Sequence, residues 1–145
     1  MSRYREIKIG GKVFEGLFTT RAMINIAELV GGDISKIGDW LNADTTDTAK
    51  TLKKTAQLAA EIINGATAAR NADIGLGLAT GEKKPLINAD YLIDIFEPGE
   101  LTTITYDVMA CMRAGNEYEI PEGITLEEKD RDLEEIRKNV KAAAD

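Results

Sequence analysis

Histidine is absent from the 145 residues, and cysteine occurs once, at Cys111. Those two shortages exclude a Ser-His-Asp or Cys-His catalytic pair, a His-ligated metal and a tetrahedral Cys/His zinc site built by one chain. One cysteine also excludes an internal disulfide, so stability has to come from packing. Aromatic residues are 6% of the chain, which leaves Leu, Ile, Val and Ala to fill the core. No stretch approaches the roughly 20 apolar residues needed to cross a bilayer. The first residues, Met-Ser-Arg-Tyr-Arg-Glu, have no apolar core of a secretory leader. These absences predict a soluble cytoplasmic domain that is not an enzyme and takes no cofactor.

What is present is an ordinary globular mixture, 43% hydrophobic and 30% charged, of the length of one domain. Net charge is −7, a field that repels polyanions, so neither nucleic acid nor a membrane is expected as a partner. The charge is uneven. Arg3, Arg5, Lys8, Lys12 and Arg21 outweigh Glu6 and Glu15 over residues 1–21, and the rest of the chain is strongly acidic. Such a basic stretch reads as a solvated face that meets an acidic neighbour.

Two β-prone runs, residues 3–9 and 12–18, flank Gly10-Gly11 and predict a tight hairpin. Thr19 and Thr20 offer an N-cap for a helix ending near Leu29, before Gly31-Gly32. Met23, Ile26, Ala27 and Val30 share one of its faces. Asp33 caps a short helix carrying Ile34, Ile37 and Leu41, with Trp40 beside them. From Asp44 a longer helix presents Leu52, Ala56, Ala59 and Ile63, widened by Leu58 and Ile62; Asn64-Gly65 ends or bends it. Residues 75–85 form a loop. Asn88 caps another helix, and Pro98-Gly99 separates it from one in which Leu101, Ile104, Val108 and Met112 face one way and Gly115 is the C-cap.

Thr125-Leu-Glu-Glu128 opens a final helix with a capping-box pattern. Leu126, Leu133, Ile136, Val140 and Ala143 make a heptad-spaced seam on it, flanked by opposite charges. Two heptads do not sustain a free coiled coil, so this helix lies along its own domain or docks on a partner or a second copy. The expected fold is α+β, mainly α: an N-terminal β-hairpin followed by about five or six helices, with a charged C-terminal helix. Residues 1–116 form the hairpin-plus-helices domain, and 117–145 a linker with that amphipathic helix.

Ligand motifs fail on their own chemistry. Gly81 is followed by Glu82 where a phosphate loop needs lysine, and Gly75-Leu-Gly77 lacks the third glycine of a dinucleotide fingerprint. Asn42, Asp44, Thr46 and Asp47 loosely suggest a calcium loop, but Asp47 and Lys53 stand where glycine and glutamate are required. The many carboxylates after Asp90 read as solvated helix faces, and Cys111 as a small buried hydrophobe.

The segment Phe18-Thr-Thr-Arg-Ala-Met-Ile-Asn-Ile-Ala-Glu-Leu, entered from a hairpin and followed by Gly-Gly, resembles the opening of tail assembly chaperones of long-tailed bacteriophages. Ala60-Glu-Ile-Ile-Asn-Gly is similar to their Leu/Ile-rich helix ending in Asn, and Asn88–Phe96 to the helix before their Glu-Leu helix. The likeness runs through residues 4–114 in element order and through 13–32 in letters. The 75–85 loop and the charged tail depart from it.

The resemblance implies a non-enzymatic protein that binds the tape measure protein, a long helical client, and keeps it soluble in the host cytoplasm. It also implies absence from the mature virion and, through a frameshifted extension, recruitment of tail tube protein. A homo-oligomer is a further expectation. Candidate contact residues are Met23, Ile26, Ala27 and Val30 on one helix, and Leu126, Leu133, Ile136 and Val140 on the other. The alternatives are a structural tail or head–tail connector component, and a bacterial adaptor domain dimerising through its last helix.

Overall fold

A computed structural model describes residues 3–116. Strands β1 (Arg5–Ile9) and β2 (Lys12–Gly16) pair antiparallel, with Ile9 opposite Lys12 and Ile7 opposite Phe14. Gly10 and Gly11 both hold positive φ, 60° and 78°, as the expected two-residue turn demands. Ile7 and Ile9 point into the core, while Glu6, Lys8, Val13 and Glu15 lie on the solvent face.

Helix α1 (Thr20–Leu29) begins at Thr19, whose hydroxyl accepts the Ala22 N–H at 3.1 Å. It ends at Gly31-Gly32, where the Gly32 N–H returns to the Ala27 carbonyl. A 3-10 turn capped by Asp33 leads into α2 (Ile37–Asn42). Lys54 fastens α2 to the next helix: its ammonium lies 4.8 Å from the Trp40 ring centroid and donates to the Trp40 carbonyl and the Asp44 carboxylate.

Helix α3 (Thr48–Gly75), capped by Asp47, runs 28 residues, about 42 Å. The expected stop or bend at Asn64-Gly65 does not occur. Gly65 is instead where the chain leaving β2 crosses the helix, since a β-carbon there would stand 2.3 Å from the Leu17 carbonyl oxygen. Helix α4 (Ala89–Ile95) is capped by Asn88, and a turn at Pro98–Glu100 precedes α5 (Leu101–Gly115). Gly115 is the last helical residue and not the cap, a role taken by Asn116. Its missing side chain lets Phe18 pack there, 2.6 Å from where a β-carbon would sit. Cys111 is fully enclosed, in keeping with its reading as a small buried hydrophobe.

The domain is therefore mainly helical, with five helices after the hairpin among the described residues. Helix α3 is its axis and packs against β2, α1, α4 and α5. Ile7, Ile26, Leu58, Ile62, Leu92 and Ile104 meet around it without solvent contact. The expected C-terminal helix, with Leu126, Leu133, Ile136 and Val140, lies outside the described residues.

Candidate functional site

After Ala66, α3 leaves the core, and its last turns together with Ile63 form the floor of a cleft of about 610 Å³. Ile63, Thr67, Asn71 and Ile74 recur at helical spacing along that floor. Val13, Phe14 and Glu15 of β2 form one wall, and residues 80–87, returning from the end of α3, form the other. Phe14 stands edge-on to Tyr91 of α4, with centroids 6.5 Å apart, which steadies the first wall from behind.

One ion pair crosses between β2 and α3. Arg70 donates from Nε and Nη2 to the two Glu15 oxygens at 2.8 and 2.6 Å, and its guanidinium stacks 4.0 Å from the centre of the Tyr4 ring. The Arg70 guanidinium holds the Glu15 carboxyl below its usual range, and Glu15 in turn raises that of Arg70. The two ions neutralise each other, so the pair braces the cleft.

Val13, which lines the cleft, is 59% exposed, and Leu76, Leu78 and Leu86, in the segment that leads from α3 to α4, are 76%, 74% and 59% exposed. Large apolar side chains this open are candidates for contact with a partner. Among the described residues, no group of three or more Cys, Asp or Glu side chains is placed to hold a metal ion. None of their helices is long and apolar enough to cross a membrane.

The candidate contact residues of α1 fall elsewhere. Ile26 is wholly buried and Met23 packs against the core, because this is the face by which α1 seats on α3. Ile26 thus has no surface to offer a partner, while Ala27 and Val30 are half-buried. Sequence reasoning missed these open leucines because Leu76 and Leu78 sit in a Gly-rich stretch without helical or strand period. Two leucines alternating with glycine at a helix end were the available signal. No family model matches this chain, and neither does any curated protein or solved structure.

Proposed function

We propose that this protein is a phage tail assembly chaperone that binds the tape measure protein and keeps it soluble until the tail tube forms around it. The reading rests on the likeness of Phe18–Gly32 to the opening of those chaperones. The observation that supports it in three dimensions is the exposure of Val13 on the cleft and of Leu76, Leu78 and Leu86 in the segment after α3. A client helix presenting an apolar stripe would bury such side chains, as helix-in-groove contacts do. The net charge of −7 would keep the complex dispersed.

The test is co-expression with the long helical protein encoded downstream in the same tail gene cluster. The client should stay soluble and co-purify only when this chain is present, and purified particles should lack the chain. Leu78→Asp and Leu86→Asp should each weaken capture while leaving stability within about 0.5 kcal/mol, because both side chains are already in water. Stoichiometric recovery from finished particles would make it a structural tail component instead.

A further inference from the structure

Asn64 and Asn71 stand seven residues apart on α3, two turns along one face, and each grips a backbone. The Asn71 amide donates to the Lys84 carbonyl at 2.7 Å, and its oxygen accepts the Lys84 N–H at 2.9 Å. Asn64 makes the same pair of bonds with Ile87, at 2.7 and 2.9 Å. A side-chain amide that both donates to and accepts from one residue mimics a neighbouring strand, and it reads extended backbone without regard to side chain.

The spacing matches that task. Seven helical residues advance about 10.5 Å, and three extended residues advance about 10 Å. The two asparagines are therefore in register with an extended chain lying antiparallel to α3. The chain now seated there is held by little else. Residues 76–86 are all exposed, and Ile87 is the first to pack against the core. At the far end, the Lys83 ammonium lies over the last turn of α3, 3.1 Å from where a Gly75 β-carbon would be, and a cation suits that helix terminus.

We propose that the Asn64–Asn71 face of α3 is an acceptor for an extended peptide segment, closed in cis by residues 84–87 and taken by a partner's segment when this strap lifts. The matching segment is extended, basic where it meets the end of α3, and carries a branched apolar residue in the place of Ile87. This goes beyond the chaperone reading and does not depend on it, since the client there is helical and meets exposed leucines.

Hydrogen exchange on the full chain is the first test. The Lys84 and Ile87 amides should exchange at least about tenfold faster than the Ile62 amide of the core, through an opening they share. Asn71→Ala should accelerate Ile87, which Asn71 does not touch. Exchange of both amides only at the rate of global unfolding would overturn the proposal, because the strap would then never lift alone.

The second test uses the peptide acetyl-Lys-Lys-Pro-Leu-Ile-Asn-amide as probe. A strap on a short linker has a local concentration in the millimolar range, so the peptide is offered to the Lys84→Pro full-length variant, whose strap has lost one N–H. Lys84 is exposed, so the fold is retained. Binding should shift the side-chain amide resonances of Asn64 and Asn71. N-methylation of the peptide's isoleucine, which removes the N–H that Asn64 accepts, should weaken binding about tenfold. Failure to bind, binding that leaves both asparagines unmoved, or indifference to N-methylation would each overturn it.

Discussion

The Glu100 carboxylate accepts the backbone N–H of Gly10, with both oxygens 3.1 Å from the nitrogen, though the two residues stand 90 positions apart in the chain. The same carboxylate accepts the Glu97 N–H at 2.8 Å, so one side chain closes the Pro98–Glu100 turn before α5 and pins the hairpin tip. Gly10 is hemmed in from a second direction, since a β-carbon on it would fall 2.2 Å from the Ile95 carbonyl oxygen. The adjacent Gly11, also at positive φ, has nothing within 4 Å.

These two glycines should respond differently to substitution. Gly10→Ala meets both a left-handed backbone and a clash with Ile95, and should lose roughly 2–4 kcal/mol in urea unfolding. Gly11→Asn, in open space and in a conformation asparagine tolerates, should lose about 1 kcal/mol or less. Glu100→Ala removes acceptors from two N–H groups and should lose about 1–2 kcal/mol, with Glu100→Gln in between. Equal effects at Gly10 and Gly11 would mean that the hairpin tip is not held by α4 and α5.

Helical glycines should give opposite signs. Replacing glycine by alanine inside a helix ordinarily stabilises it by roughly 0.5–1 kcal/mol. Gly38 of α2 has open space where a β-carbon would go, so Gly38→Ala should raise the melting temperature. Gly65→Ala pushes against the Leu17 carbonyl and Ala22, prises the segment between β2 and α1 from α3, and should lower it by the equivalent of about 2 kcal/mol or more. Calorimetry on the two variants decides this.

Acid should weaken the brace across the cleft. Glu15 is held below its ordinary value of 4.5 in the folded chain, first by the hydrogen bond from Arg70. Its folded form is the worse proton binder, so its contribution to stability is complete above that ordinary value and disappears as pH falls through the lower, folded one. Arg70→Met should flatten this part of the stability curve. The change at neutral pH should stay within about 1 kcal/mol, because the paired side chains are 53% and 49% exposed. An unchanged acid limb in Arg70→Met would show that other carboxylates govern it.

Cys111 should be chemically silent in the folded protein. Its thiol is enclosed between the hairpin and α5, 3.1 Å from where a Gly16 β-carbon would stand, and burial pushes its pKa up. Reaction with a thiol reagent should then proceed only through opening of the core, orders of magnitude slower than in urea-unfolded chain. Gly16→Ala, which crowds Ile7, Ile62 and Cys111, should speed it. A thiol that reacts at the free-cysteine rate would contradict the packing under β2.

Local elements were legible from the residues because their signals are local. Gly10-Gly11 specified the turn, Thr19, Asp33 and Asn88 specified helix starts, and Ile104 with Val108 specified a buried stripe. The errors came where a residue serves a distant neighbour. Asn64 and Gly65 read as a helix stop, but one clamps Ile87 and the other admits Leu17. Met23 and Ile26 read as part of a candidate contact face, but the packing of α1 on α3 puts Ile26 in the core and Met23 against it.

Composition and periodicity by themselves thus determined the class of this domain, its hairpin, its helix starts and its lack of histidine chemistry, since each follows from a residue's own backbone and side-chain preferences. Only the tertiary structure decided which apolar face stays open, where α3 ends, and that Asn64, Asn71 and Glu100 hold backbone far along the chain. Those outcomes depend on which surfaces meet, and a residue's own preferences carry no information about the partner that packing brings to it.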